Sequence, residues 1–459
     1  MKATRLSARI SHGLRRPGWW VFLVSLQVFA QAGGPNIVYI LADDVGYGDL
    51  SCYGQQRFQT PNLDRLAREG MRFTEHYAGS AVCAPSRFTL MTGIHIGHAR
   101  TEGQGQQLRP EERTIAEILQ QAGYATGMIG KWGLGGHTGR PDLKGFDFWY
   151  GFLDQRRAHF HYPEWVWRNG EKEMLPDNPE KHTHHTQDLF TREALAFIRA
   201  HREDPFFLYL PYTLVHAELI VPEVYEKPFI DRLDDKAVET KPYAILHSGY
   251  NRPRYRHAAF AGAMTFLDLE VGKVMGLIKE LGLDGNTLVF FSSDNGPHSE
   301  GGADPRYFNS NGGLQRGKGW LYEGGIRVPM IARWPGRIMA GSTSDHPSWF
   351  PDLLATLAEI CGVPADPKDG ISFAPTLLAS GKQAKHEAMY WSYNRHRAVR
   401  AGRWKLYRFY EAFNDITRYK DALFDLSEDP AEAKDLSALH PERVQALAGR
   451  LFALERWKK

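Results

Sequence analysis

Four places in this 459-residue chain join a short apolar run to side chains able to do chemistry. NIVYIL (36–41) leads into Asp43-Asp44, ATGMIG (125–130) into Lys131, PFFLYLPYT (205–213) toward His216, and TLVFFSS (287–293) into Asp294-Asn295. The two acidic pairs offer four oxygen donors, and no Cys/His cluster of zinc spacing accompanies them. Hard donors of this kind suit Ca²⁺, with Mg²⁺ as the alternative. Taken singly, Asp-Asp-x-Gly and Asp-Asn-Gly are also ordinary turn sequences.

A fifth stretch, SAVCAPSRFTLMTG (80–93), holds Cys83, one of three cysteines in the chain. Pro85 suits a first helical turn and Gly93 a helix stop, so the spacing predicts a helix that starts at or just after Cys83. A helix N-terminus carries free N–H groups and partial positive charge, which attract anions and favour a thiolate. Arg87, one turn in, adds a bidentate anion donor. No base lies near Cys83 in the sequence to activate a plain thiol nucleophile. A small buried cysteine is the alternative reading.

These residues need elements to position them. The apolar runs read as buried strands. Helical patterns lie between them: Thr60-Pro61 to Gly70, TIAEILQQAG (114–123) with a Thr-x-x-Glu capping box, and a long amphipathic segment over 260–282. The alternation predicts an α/β fold with a large mixed, mostly parallel sheet sandwiched by helices. Ligands of such sheets bind at the carboxyl ends of the strands, where the residues above fall. From about His386 the pattern changes to short aromatic strands (AMYWSY, RAVRAG, WKLYRF, ALFDL) and a terminal helix near 441–457. This predicts a smaller C-terminal antiparallel-sheet subdomain packed by that helix. PADPKDG (364–370) reads as the linker region, so a catalytic domain is expected over 33–375 and the C-terminal subdomain over 376–459.

Residues 1–32 read as a signal peptide. Lys2, Arg5, Arg9, Arg15 and Arg16 form a basic leader, WWVFLVSLQVFA is apolar but too short to span a bilayer, and Ala30-Gln31-Ala32 fits a cleavage site. The protein is therefore expected to be exported, to a periplasm or the medium, with no transmembrane segment. Loss of these five basic residues takes the formal charge from +3 to −2, which gives no basis for a nucleic-acid partner. In an oxidising compartment Cys52 and Cys361 are a candidate disulfide, leaving Cys83 as the odd thiol.

Cys83-Ala-Pro-Ser-Arg87, with its tail to Thr92-Gly93, resembles the first signature of the type I sulfatases, formylglycine-dependent enzymes of the alkaline phosphatase superfamily. GYATGMIGKW (123–132) resembles their second signature. LADDVGYGDL (41–50), PFFLYLPYTLVHAEL (205–219), SSDNGPHSEGG (292–302), GKGWLYEGGIRVPMIARWPG (317–336) and LFDLSEDPAEAKDLS (423–437) are similar to further blocks. The resemblance runs from about residue 35 to the end, and its flavour is that of bacterial arylsulfatase-A-like enzymes.

The resemblance implies a function and a set of roles. The protein would hydrolyse a sulfate monoester of a carbohydrate or aryl alcohol. Cys83 would be oxidised to formylglycine by a formylglycine-generating enzyme that reads the Pro-Ser-Arg. The hydrated aldehyde would attack sulfur with one hydroxyl, and the other would then expel sulfate. Asp43, Asp44, Asp294 and Asn295, with residue 83, would hold Ca²⁺. Arg87 would hold the diol, Lys131 and Lys318 would clamp sulfate oxygens, and His216 would contact the sulfate and serve the leaving oxygen as general acid. One position departs from the family: where Lys-Trp-His is common, this chain has Lys131-Trp132-Gly133. A substitute base is expected, with His298 favoured and His137 as second candidate. QRRAHFHYPEWVWRNG (155–170) is expected to line a sugar or aryl pocket or to be a surface loop, and DRLDDKAVETK (231–241) to be a solvated rim. Two other readings are compatible with these residues. One is a phosphomonoester or phosphonate-ester hydrolase with the same nucleophile. The other is a non-catalytic sulfoglycan-binding protein.

Overall fold

Every residue of Asn36–Ala42 is buried, so this strand needs cover on both faces and neighbours on both edges. The computed structural model describes residues 33–100, 103–239, 250, 252–412 and 415–455, and in it this strand is the fifth of a ten-stranded sheet. The strand order is 342–344, 71–73, 330–333, 287–293, 36–42, 206–211, 125–131, 148–152, 165–168, 171–174. The middle five, from Thr287–Ser293 to Phe148–Phe152, run parallel, and antiparallel strands flank them on each side. In the register, Leu41 pairs with Pro211 and Ala42 with Ser293. The carboxyl ends of three central strands therefore lie level at one edge.

Alternate residues of Asn36–Ala42 enter two different cores. Val38, Ile40 and Ala42 pack into one, with the helices Pro61–Glu69, Thr186–Ala200 and Arg256–Glu280. Ile37, Tyr39 and Leu41 pack into the other, with Cys83–Thr92, Ile115–Gln121 and Asp352–Cys361. This is the helix-covered α/β sandwich that the alternation predicted. The capping box at Thr114 and Glu117 forms reciprocally. Cys52 packs against the first core and Cys361 against the second, on opposite faces of the sheet, and both are free thiols. The candidate disulfide between them does not form.

Met389–Tyr393, His396–Ala401, Trp404–Ala412 and Asp415–Asp425 make the separate antiparallel sheet expected near the C-terminus. Tyr390, Val399, Leu406 and Leu423 meet Leu447 and Leu451 of the terminal helix Pro441–Leu454 and join the second main core. Met389, Trp391, Ala398, Tyr407 and Phe424 pack instead on Tyr77, Ala81, Leu321 and Ile326, which precede Cys83 and follow Lys318. The C-terminal sheet thus supports two segments that reach the strand ends. From Gly34 onward the chain forms one compact unit. The expected signal peptide lies outside the described residues. Among the described residues no helix is long and apolar enough to cross a membrane.

Candidate active site

Backbone hydrogen bonds extend the sheet ladder past the strand ends and fix the residues just beyond them. Asp43 N–H donates to Leu214 O at 2.9 Å, Val215 N–H to Asp43 O at 2.8 Å, and Asp294 N–H to Ala42 O at 3.1 Å. Asp44 turns at φ +63°, an uncommon conformation for a non-glycine residue, and its N–H donates to Asp294 Oδ1 at 3.1 Å. The helix Cys83–Thr92 lies beneath, with Cys83 as its first residue, Pro85 in its first turn and Gly93 ending it at φ +67°. All ten of its residues are buried.

These elements bring Asp43, Asp44, Cys83, Arg87, Lys131, His216, Asp294, Asn295 and Lys318 into one cluster. Cys83 Sγ lies 3.4 Å from Asp43 Oδ1 and 3.9 Å from Asp44 Oδ1. Arg87 makes two hydrogen bonds to Asp294 Oδ2, at 2.9 and 2.7 Å, and a third to Lys131 O at 2.7 Å. Lys131 Nζ is 2.6 Å from Asp43 Oδ2, and Lys318 Nζ is 2.8 Å from Asp44 Oδ2. Burial favours the neutral form of each carboxyl, and the cations decide the outcome. Asp43 is held below the usual carboxylate range by Lys131 and Arg87 despite its burial, and Asp44 is held at about 2, chiefly by Lys318. Asp294 is pushed up to about 6 by burial and by Asp43, against the pull of Arg87. Burial, then Asp294 and Asp43, raise the Cys83 thiol well above its ordinary value. In the metal-free protein the helix terminus therefore does not activate this thiol, because burial and the two carboxylates outweigh it.

The donor set fits a hard cation. The carboxylates of Asp43, Asp44 and Asp294 and the amide of Asn295 converge, and Asn295 Oδ1 is buried without a hydrogen-bond partner while its Nδ2 donates to Asp44 Oδ1 at 2.6 Å. An orphaned amide oxygen beside three carboxylates is what an all-oxygen cation site supplies. Asp43, Asp44, Cys83 and His216 also present ligand atoms within 4.8 Å of one another.

Partner chemistry fixes the histidine tautomers. An ammonium has only donors, so Lys318 Nζ donates to His216 Nε2 at 2.8 Å, and His216 Nδ1–H donates to Ala217 O at 2.5 Å. His159 stacks on His216, with centroids 3.8 Å apart and planes 7° from parallel. Its Nε2 accepts from Lys131 Nζ at 3.4 Å, so its Nδ1–H donates to Tyr250 Oη at 3.0 Å. Burial and neighbouring positive charge hold both rings neutral.

His298 lies beside the cluster but has no free lone pair. Its Nδ1 accepts from Glu300 N–H at 3.1 Å and its Nε2–H donates to Val215 O at 3.0 Å. This geometry argues against His298 as the substitute base and makes it an anchor between the segments of His216 and Glu300. His137 is exposed and does not line the cavity. The gap at Gly133 has a local cause. Its φ is +75°, and a Cβ there would lie 2.2 Å from Gln155 Nε2. His159, Tyr250 and Glu300 were not singled out from sequence. His159 lies within the 155–170 stretch, where nothing in the spacing separates it from His161.

The cluster opens into a cavity of about 980 Å³. Gln155, Arg156 and His159 of the 155–170 stretch line it, whereas Trp165 and Trp167 belong to an outer strand and meet edge to face. Glu300, whose side chain is 44% exposed, places its Oε2 3.0 Å from Lys318 Nζ and 3.7 Å from His216 Nε2.

A sulfatase family model matches residues 35–363, and a second model, the C-terminal part of N-sulphoglucosamine sulphohydrolase, matches residues 315–453. The chain is 33% identical to bovine arylsulfatase A (Bos taurus) over 94% of this chain and 89% of that protein. It is 30% identical to an N-acetylgalactosamine-6-O-sulfatase of Bacteroides thetaiotaomicron over 92% and 93%. Among solved structures, Ps i-CgsB in complex with k-i-k-neocarrahexaose superposes with a TM-score of 0.75 at 26% identity, covering 92% of each chain. With a family model across most of its length and relatives at one-third identity over nearly all of it, the chain belongs to the type I sulfatase family and is a sulfatase.

Proposed function

We propose that the protein hydrolyses a sulfate monoester of a carbohydrate, with residue 83 as nucleophile after conversion of Cys83 to formylglycine and with Ca²⁺ held by Asp43, Asp44, Asp294 and Asn295. The observation that carries this reading is the buried convergence of Cys83 with three cationic side chains and four oxygen donors. A protonated thiol in that setting is unsuited to attack, which supports its conversion. The aldehyde would supply a hydrated nucleophile, and the cation would supply positive charge to it and to a sulfate oxygen.

The chain's own residues account for the rest. Arg87, fixed by Asp294 and Lys131 O, directs its guanidinium along the first turn and holds the nucleophile's position. Lys131 and Lys318 neutralise sulfate oxygens as compact charges whose ammonium groups now rest on Asp43 and Asp44. The Lys318–His216 pair shares one proton across 2.8 Å and delivers it to the departing alcohol oxygen. His159, whose Nδ1–H is fixed by Tyr250, takes the proton-accepting part that Gly133 leaves open once Lys131, now 3.4 Å from its Nε2, turns to the sulfate and frees that lone pair. Burial of Asp43, Asp44, Arg87, Lys131, His216 and Asp294 strengthens the interactions among them. Export, maturation by a formylglycine-generating enzyme, and a catalytic region to about residue 375 followed by a C-terminal subdomain belong to the same reading.

Two measurements test it. Tryptic mass spectrometry of protein from a competent host is expected to show residue 83 as formylglycine. Turnover of 4-nitrophenyl sulfate is expected to exceed that of 4-nitrophenyl phosphate. Full activity with a free thiol at 83, or preference for the phosphate, overturns the proposal.

A further inference from the structure

The described carboxylates that line the cavity already have partners. Glu300 is bound to Lys318, and Asp304 lies 3.5 Å from His257 and 3.6 Å from Arg256. Two arginines at the mouth differ. Arg306 and Arg316 line the same cavity, both are exposed, and among the described residues neither has a carboxylate within ion-pair distance. Unpaired positive charge therefore stands at the mouth of a cavity whose inner end binds one anion.

Arg316 is also preorganised. Its guanidinium carbon lies 4.6 Å from the ring centre of Trp320, which is 37% exposed. Stacking of this kind restrains the guanidinium plane and leaves the in-plane N–H groups directed outward, in the fork that matches sulfate or carboxylate. The backbone at Arg316 has φ +66°, a conformation that the flanking structure must hold. Asn311 Nδ2 donates to Arg316 O at 3.3 Å, Gly324 N–H to Gln315 O at 2.9 Å, and Gln315 Nε2 to Glu432 O at 2.7 Å. Arg316 stands two residues before Lys318, so their Cα atoms are at most about 7 Å apart. Arg316 and Lys318 therefore reach the same cavity from one short stretch of chain.

We propose that Arg316 and Arg306 form a second anion subsite, which selects glycans carrying a further sulfate or carboxylate beyond the sulfate that is cleaved. This rests on the sulfatase reading of the inner site and names a substrate class for it: an oligoanionic glycan rather than a neutral alcohol with one sulfate.

The test uses three oligosaccharides with the same cleavable sulfate. One carries no other charge, one a second sulfate, and one a uronate. The wild-type enzyme is expected to prefer one or both dianionic substrates by about tenfold in kcat/KM. Arg316→Ala is expected to abolish most of that preference, Arg316→Lys to keep part of it, and Arg306→Ala to reduce it. Calorimetric binding of the same sugars to the Cys83→Ala protein supplies a second readout that requires no turnover. Which dianion gains identifies the anion as sulfate or carboxylate. No preference in the wild type, or the same preference in Arg316→Ala, overturns the subsite. Failure of the wild type to cleave any of the three while residue 83 is formylglycine overturns the sulfate-ester reading, and the binding arm still decides the subsite. Both arginines are exposed, and thermal unfolding of each variant checks that the fold is retained.

Discussion

Lys405→Met is the most informative single perturbation of the scaffold behind the site. Lys405 Nζ lies 2.9 Å from Glu323 Oε1 and 2.9 Å from Glu432 Oε1, and all three side chains are fully buried. Tyr77 Oη donates to Glu323 Oε2 at 2.6 Å, and Glu323 N–H donates to Glu432 Oε2 at 2.5 Å. Removing the ammonium leaves the buried Glu432 carboxyl without its cationic partner and Glu323 with Arg327 at 3.5 Å, and breaking a buried pair in this way typically costs about 3–5 kcal/mol. That is a large part of the ~5–15 kcal/mol that stabilises most domains. The cost depends on pH in a defined direction. Burial already raises the Glu432 carboxyl to about 7, against 4.5 for a free one, even with Lys405 beside it. A folded-state value above the unfolded one means that stability falls as pH rises between the two and is regained by protonation below them. Urea titration is expected to show Lys405→Met less stable by about 3–5 kcal/mol at pH 8 and by clearly less at pH 5. The segment from Gln315 to Glu323, which carries Lys318, is tied at both ends to Glu432. The variant is therefore expected to lose kcat/KM even at temperatures where it remains folded. A loss below about 1 kcal/mol at pH 8, or a larger loss at pH 5, would refute the reasoning.

The same geometry fixes other outcomes. Asp294→Ala is expected to be inactive and to lose about 3–5 kcal/mol in the metal-free protein, because it strips Arg87, fully buried, of its main partner; unchanged unfolding would contradict this. Asp49 is buried, and burial raises its carboxyl to about 7 from 3.8, so ionising it costs stability as pH rises through that interval. Asp49→Asn is expected to raise stability at pH 8 by about 2–4 kcal/mol, seen as a higher melting temperature, and to change it little at pH 4; equal shifts at both pH values would count against it. Gly133→His is expected to lose stability by about 1–2 kcal/mol and to gain no turnover, since any side chain there adopts a left-handed backbone and displaces Gln155; increased activity would show that the gap is functional rather than filled.

Much of this site could be read from the chain because its residues come directly after strands. Apolar runs ending in Asp43-Asp44, Lys131 and Asp294-Asn295 became parallel strands of one sheet, with the strand that leads to His216 between the first two, and parallel register brings their ends to one edge. Cys83 and Arg87 were legible for a similar reason: proline and glycine punctuate the helix that carries them. His159 was not legible, because it comes after an irregular turn and is placed by stacking on a residue 57 positions away. For His298 the location beside the site was legible and the bonding was not, because proximity in sequence to Asn295 says nothing about where ring nitrogens point. Both are spent on backbone groups, one of them 83 residues distant. Trp165 and Trp167 were drawn outward by pairing with the edge strand Glu171–Met174, a tertiary choice that composition does not reveal.

The complete burial of the helix Cys83–Thr92 has a consequence for biosynthesis. Cys83 is 1% exposed, Pro85 is buried, and Arg87 is locked between Asp294 and Lys131. A modifying enzyme that grips these three side chains has nothing to hold once the helix has packed. The strand that supplies Asp294 is made about 200 residues after Gly93, which at ~5–20 residues per second is an interval of roughly 10–40 s. Under the proposed conversion to formylglycine, oxidation of Cys83 would therefore have to precede this packing. A chain that folds first would bury an unconverted Cys83 beneath the carboxylates in an otherwise correctly shaped molecule. The active fraction of a preparation would then record the relative speeds of two events in the cell that made it, not the quality of its fold.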